Sequence, residues 1–320
     1  MFFSVIIPVF NRPEELRELL ESLRNQSFTD FEVLVVEDGS SIDSKEVCEY
    51  YASKLSLSYF FQFNTGQGFA RNFGMSRAKG DFFVILDSDV ILPKDYLQNL
   101  WNAIKSRSLD AFGGPDAAGE DFTNLQKAMD FAMTSFWTTG GIRGKLKDVS
   151  KYQARGFNMG VSRKVFEEVG GFVDPNRGED IEWSIRIKKA GYRMELVQDA
   201  YVFHKRKNTL FSFAKQAFSF GRNRVNVSRF HPDAIKLVHL LPSGFLLFLL
   251  SIPVFGVLGF LIFKLQLVIL GAWMLGVFLN SLAKYQSLQV AVLSLITSII
   301  QLMAYGSGLI FEWIKKKITS

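Results

Sequence analysis

The chain has 320 residues, a formal net charge of +6 and a mean hydropathy of +0.13, which is longer than one domain usually needs. Its basic residues argue against a nucleic-acid-binding module, because Lys205, Arg206, Lys207, Arg222, Arg224, Arg229 and Lys315 to Lys317 flank apolar runs without any recognised binding motif. Cys48 is the only cysteine, which excludes an intrachain disulfide and a cysteine-based metal site.

Phe3 to Val9 is an apolar, β-rich run that ends at Pro8-Val9-Phe10-Asn11. The N-terminus lacks a basic leader and a small-residue cleavage site, so it reads as a buried strand and the first part of the chain is expected to stay on the side of synthesis. Glu14 to Asn25 carries Leu16, Leu19, Leu20 and Leu23 at helical spacing, with Pro13 near its start. Phe31 to Val36 is a second continuous apolar strand, halted by Glu37-Asp38-Gly39-Ser40. Asp43 to Leu55 reads as a helix, Leu57 to Phe63 as a strand, Gly68 to Lys79 as a helix and Phe82 to Leu86 as a strand ending on Asp87. This alternation implies a parallel sheet buried on both faces. Ligands of such sheets bind beyond the carboxyl ends of the strands, and Asn11, Asp38 and Asp87 each lie just past one.

From Ala111 to Gln153 the pattern weakens, with breakers at Gly113-Gly114-Pro115 and Thr139-Gly140-Gly141. Phe157 to Ser162 resumes strand character, Lys164 to Val169 is a short helix, Ile181 to Lys189 is a helix stopped at Gly191, and Met194 to Phe203 is a final strand or extended segment. Phe211 to Arg229 interleaves aromatic and basic residues. At helical spacing Phe211, Phe218 and Val225 would lie in a membrane interface while Lys215, Arg222 and Arg229 meet headgroups; the other reading is an ordinary packed helix. Beyond Lys236 the runs 240–263, 265–283 and 288–311 are each long enough to cross a bilayer. Three spans would place Lys315 to Lys317 opposite the N-terminal part, against the positive-inside tendency. Pro242 and Pro253 could instead break the first run into an interfacial or re-entrant segment. The organisation expected is 1–207 catalytic, 208–236 an amphipathic linker helix and 237–314 a membrane domain.

Asp87-Ser88-Asp89 sets two carboxylates where they repel unless a cation lies between them. Mg²⁺ and Mn²⁺ prefer oxygen ligands, and Mg²⁺ bridges such carboxylates to substrate phosphates. Alone, Asp-x-Asp is equally a turn with exposed acids. Gly178-Glu179-Asp180 opens a helix, where a carboxylate serves as a cap or as a general base toward a hydroxyl.

Together with Val5-Ile6-Ile7-Pro8-Val9-Phe10-Asn11, Val35-Val36-Glu37-Asp38-Gly39-Ser40, Gly68-Phe69-Ala70-Arg71-Asn72-Phe73-Gly74, Ala78-Lys79-Gly80-Asp81, Gly156-Phe157-Asn158-Met159-Gly160, Gly170-Gly171-Phe172 and Lys189-Ala190-Gly191-Tyr192-Arg193, these stretches resemble the family-2 inverting glycosyltransferases, in order and spacing from Met1 to about Lys207. The resemblance implies a GT-A fold, an α/β architecture with a Rossmann-like mixed sheet, here followed by C-terminal transmembrane helices. It implies that Pro8, Asn11 and Asp38 line the nucleotide pocket, with Asp38 and Arg71 near the base, although Arg71 is also readable as a surface helix residue. Ser88 and Asn158 belong to the donor side, and Asn158 alternatively has a structural hydrogen-bonding role. Asp89 would coordinate a divalent Mn²⁺ or Mg²⁺, Asp87 would face the ribose or the metal, and His204 is either a third ligand or a solvated side chain. Asp180 would deprotonate the acceptor hydroxyl, with Glu179 beside it. Trp183, Trp137, Phe136 and Phe131 are aromatics able to stack on sugars. The Gln-x-x-Arg-Trp signature of processive synthases is missing from 215–222, which argues for transfer of one sugar. The expected protein is an integral-membrane enzyme facing the cytoplasm. It would take a nucleotide sugar, a UDP-sugar first, to a lipid-linked or glycan acceptor in polysaccharide biosynthesis, without nucleic acid. A polyprenyl-phosphate sugar synthase and a non-catalytic membrane scaffold are the rivals.

Overall fold

A computed structural model describes residues 1–117, 122–140, 152–204 and 209–319, apart from the side chains of His204, Phe260 and Thr319. The chain divides into two compact units, Met1–Gly119 with Asp148–Lys205, and Glu120–Lys147 with Arg206–Ser320. Residues 120–147, which lie within the stretch expected to be catalytic, therefore group with the C-terminal helices.

The first unit is built on β1 (Phe3–Val9), β2 (Phe31–Asp38), β3 (Leu57–Gln62) and β4 (Phe82–Leu86). All four run parallel, in the order β3-β2-β1-β4. β1, β2 and β4 are buried along their whole length, as their predominantly apolar sequences require, with Ser4, Glu32, Glu37 and Asp38 the buried polar exceptions. Helix α1 (Pro13–Arg24) buries Leu16, Leu19, Leu20 and Leu23 in the core cluster beneath the sheet. α2 (Lys45–Ala52) and α3 (Gln67–Arg77) complete the crossovers. Gly74 lets α3 approach β1, since a Cβ there would stand 2.6 Å from Ile6 Cγ2. After β5 (Val90–Ile91) and α4 (Tyr96–Arg107) the sheet becomes mixed. β6 (Ala111–Gly113) and β8 (Asn158–Ser162) pair antiparallel, β8 also lies antiparallel to β4, and β9 (Met194–Leu196) adds a parallel edge. β7 (Asp116–Ala117), β10 (Val202–His204) and β5 form a separate small sheet. The segment read as a final strand or extended segment is thus two strands in two sheets, divided by a turn in which Ala200 N–H donates to the Val197 carbonyl at 3.2 Å. α7 (Arg163–Val169) and α8 (Glu179–Lys189) close the unit.

The second unit holds α5 (Asn124–Thr134), α6 (Phe136–Thr139), α9 (Leu210–Val227), α10 (Leu237–Leu258), α11 (Phe260–Tyr285) and α12 (Leu288–Thr319). The last three are long and apolar enough to cross a membrane. Pro242 and Pro253 do not break α10, which is one continuous helix. Phe213, Ala217, Gly221 and Val225 of α9 are buried. A Cβ on Gly221 would lie 2.1 Å from the Tyr305 carbonyl, and one on Gly308 would lie 2.1 Å from that of Phe218, so the two backbones touch. Of the stripe read from the sequence, Val225 packs inward, Phe218 is half-buried beside the exposed Phe311, and Phe211 is widely exposed.

Candidate active site

β1 has β2 on one side and β4 on the other, so the chain winds outward from β1 in both directions, the arrangement in which such sheets bind ligands beyond the strands' C-terminal ends. Asn11 leaves β1 with φ +54°, a conformation Asn adopts more readily than most residues. Its Oδ1 accepts the N–H groups of Ser41 (2.8 Å) and Ile42 (3.0 Å), fastening the loop after β2. Pro8 is buried within β1. Asp38, 3% exposed, accepts from Gln62 Nε2 (2.7 Å), Thr65 N–H (2.9 Å) and Gly66 N–H (2.8 Å), so its carboxylate holds the entry to α3.

Arg71 joins the parts. It sits on α3, 1% exposed, and donates from Nη2 to Asp87 Oδ1 at 2.7 Å and from Nη1 to Glu179 Oε1 at 3.1 Å. One guanidinium thereby ties the loop after β4 to the first turn of α8. Gly156 makes room for it, as a Cβ there would meet Nη2 at 2.7 Å. The surface-helix reading of Arg71 does not hold. Asp180, half-buried beside Glu179, accepts the Gly156 N–H at 3.2 Å. Ser88 is buried and Asp89 forms an ion pair with Arg12.

Burial and the neighbouring Asp180 charge push the Glu179 carboxyl up to about 7, against the pull of Arg71. A carboxyl that binds its proton more tightly when folded contributes stability below its unfolded value of 4.5, and that contribution is lost as the pH rises through about 7. The melting temperature of Glu179→Gln in detergent is therefore expected to fall less than that of the wild type between about pH 5 and pH 8. Parallel curves would mean that Arg71 keeps Glu179 ionised throughout.

Asn158 stands opposite Leu86, at the end of β4, and the predicted aromatics lie elsewhere. Asn158 is wholly buried, its Oδ1 accepting from Tyr96 Oη at 2.6 Å and its Nδ2 donating to the Ala200 carbonyl at 2.8 Å. Trp183 is a core residue, 0% exposed, packed on Phe172 and donating to the Gly170 carbonyl, so it does not stack on a sugar. Phe131 is buried in the second unit, where Trp137 lies against Gly276 and Phe136 is exposed. The His204 side chain lies outside the described residues. Sequence reasoning missed Arg12, and Gln67, whose Nε2 donates to Glu179 at 2.6 Å. Their pairing depends on tertiary contacts, although Arg12 directly follows the Asn11 motif.

Among the described residues no three His, Cys, Asp or Glu side chains form a ready-made metal cage. Asp87 and Asp89 nevertheless fit a hard divalent cation that takes its remaining ligands from substrate phosphates and water. Arg71 and Arg12 pair with those two carboxylates.

Glycosyltransferase AglE of Haloferax volcanii is 27% identical over 234 residues, covering 71% of this chain and 74% of that protein. The poly(ribitol-phosphate) β-N-acetylglucosaminyltransferase TarS of Staphylococcus aureus is 39% identical over 103 residues, which is 31% of this chain and 18% of TarS. Among solved structures, the mannosyltransferase PcManGT from Pyrobaculum calidifontis, in complex with GDP-Man and Mn²⁺, superposes with a TM-score of 0.62 at 19% identity, over 98% of this chain and 87% of that one. That likeness supports the fold, a GT-A-like mixed sheet followed by apolar helices. The sequence model of glycosyl transferase family 2 matches residues 4–170, more than half of the chain and all of the segment that carries Asn11, Asp38, Arg71, Asp87 and Asp89, and the protein belongs to that family.

Proposed function

We propose that this glycosyltransferase is membrane-anchored and inverting, and that it moves a single sugar from a nucleotide-diphosphate donor, a UDP-sugar first, to a lipid-linked glycan or other cell-envelope acceptor on the cytoplasmic face. The observation that carries the reading is the Arg71 bridge between Asp87 and Glu179, which places the carboxylates of the β4 loop and the start of α8 around one point beyond the sheet. Pro8, Asn11, Asp38 and Ser88 line the nucleotide side. Asp180 takes the proton of the acceptor hydroxyl, whose oxygen attacks the anomeric carbon from the face opposite the departing diphosphate, and Glu179 keeps Arg71 in position. Asp89 and Asp87 would hold a divalent cation, with His204 as a further candidate ligand. The Mn²⁺ in the PcManGT complex supports this. Once bound, the cation would stabilise charge growing on the leaving diphosphate. The three long apolar helices support the anchoring.

Calorimetry in detergent with UDP and with GDP, each with and without Mn²⁺, tests donor and metal together. Mn²⁺ is expected to tighten binding of the correct nucleotide at least about tenfold, and Asp89→Ala to abolish that gain while leaving metal-free binding within about twofold. Nucleotide binding that is absent would favour the scaffold, and binding indifferent to Mn²⁺ would remove the metal.

A further inference from the structure

We infer that α12 lies along the membrane surface, across the base of a hairpin formed by α10 and α11, and does not cross the bilayer as a third span. The inference deepens the membrane anchoring proposed above and rests on it.

Length is the first sign. The 32 residues of α12 extend about 48 Å, against a hydrocarbon core of about 30 Å. The 22 and 26 residues of α10 and α11 extend about 33 and 39 Å, which suits crossing. The surface of α12 is the second sign. Leu288, Val292, Ile296, Met303, Phe311, Ile314 and Ile318 are all exposed. At helical spacing they form one apolar stripe along its whole length. The opposite, buried face carries the helix's polar groups, Ser294, Thr297, Ser298, Gln301 and Glu312, interspersed with Val290, Ala291, Leu302 and Leu309.

That polar face is covered by helices unsuited to hydrocarbon. On α5, Asn124 Nδ2 donates to Gln289 at 2.7 Å and the Ala128 carbonyl accepts from Thr297 Oγ1 at 2.9 Å, while Asp130 pairs with Lys284 at the end of α11. On α9, Arg222 and Arg229 both bind the buried Glu312. Ile300, midway along α12, packs against the cluster that holds Phe213, and Phe218 lies on Gly308, so the exposed Lys215 stands near the level of the α12 centre. If α12 spanned the bilayer, that lysine would sit at hydrocarbon depth, where a charged side chain is costly and rare.

The hairpin contacts fix the direction. Phe245 stacks near Trp273, and Gln266 Nε2 donates to Ser251 at 2.7 Å, which aligns the two arms. α12 meets α10 at its first turns, where Ser243 Oγ donates to the Gly306 carbonyl at 3.3 Å and a Gly306 Cβ would lie 2.6 Å from the Pro242 carbonyl. It meets α11 near its end, where the Ser281 and Ser294 hydroxyls are 2.8 Å apart. Both places are at the hairpin base, yet residues 294 and 306 are about 18 Å apart along α12. A helix alongside the arms would advance by that distance toward the tip; α12 passes across them. Its last turns carry exposed Trp313, Lys315 and Lys317, a set suited to anionic headgroups. This arrangement keeps the terminal lysines on the side of α9, as the positive-inside tendency prefers.

The test uses the full-length protein in a Cys48→Ser background, with single cysteines at Ser219 of α9, Val257 at the hairpin tip and Lys317. Each is labelled with an impermeant maleimide in sealed right-side-out and inside-out vesicles. Lys317→Cys is expected to label from the same side as Ser219→Cys, and Val257→Cys from the other. Nitroxides at positions 292, 296, 303, 311 and 314 should report one common depth from oxygen and nickel-chelate accessibility. A Lys317→Cys signal opposite Ser219→Cys, or a depth profile deepest at position 303, overturns the inference alone. Release of the protein by alkaline carbonate would overturn the anchoring as well.

Discussion

Asp180→Asn is expected to lower kcat by about 10²- to 10⁴-fold while leaving nucleotide affinity within about twofold. Asparagine preserves the shape of the side chain but cannot accept the acceptor proton. Asp180 suits that task because its carboxylate is half-buried at the mouth of α8, oriented by the Gly156 N–H at 3.2 Å and by its neighbour's N–H, with Ile181 donating at 2.8 Å. The residues proposed for the nucleotide are different ones, so kcat and binding should separate. Initial rates with saturating donor, read by nucleotide release, together with calorimetry on the same variant, check both halves. Retained turnover would sink the base assignment and turn attention to a phosphate acceptor such as a polyprenyl phosphate, which ionises without help.

The second large effect is on stability. Arg71→Met should destabilise the first unit by about 3–5 kcal/mol, because it removes the shared partner of two carboxylates and leaves their charge uncompensated. Glu179 is the more exacting of the two, with its side chain 5% exposed, against 30% for Asp87. Adding Glu179→Gln to Arg71→Met should restore part of the loss, since an amide buries at lower cost than an unpaired carboxylate. Arg71→Lys should not rescue, because a single ammonium lacks the planar fork that reaches both partners. Urea midpoints of the four proteins decide it; a loss under about 1 kcal/mol for Arg71→Met would mean that solvent already screens the cluster.

The sequence exposed the central sheet because burial on both faces leaves an unambiguous apolar run: the limits read for Phe3–Val9 and Phe82–Leu86 coincide with β1 and β4. It also exposed three polar strand ends, since strand direction alone puts Asn11, Asp38 and Asp87 on one edge. What stayed hidden depends on partners distant in the chain. Nothing local distinguishes Arg71 as a surface residue from Arg71 as the buried link between positions 87 and 179. Trp183 is equally at home under a sugar or inside a core, and Phe172 decides for the core. The turn at 197–200 carries no glycine or proline, so one apolar segment concealed two strands that join different sheets.

The grouping of residues 120–147 with the C-terminal helices bears on how this protein can be shortened. α5 buries Met129, Ala132 and Met133 with Phe213, so its apolar face is finished by the far end of the chain. A fragment stopped at Lys207, the obvious cut for a soluble preparation, would retain α5 and discard its cover, leaving methionines open to self-association. Replacing 120–147 by a short polar linker in the same fragment removes the orphaned helix together with its partners, and that doubly trimmed chain is the more promising one to purify without detergent.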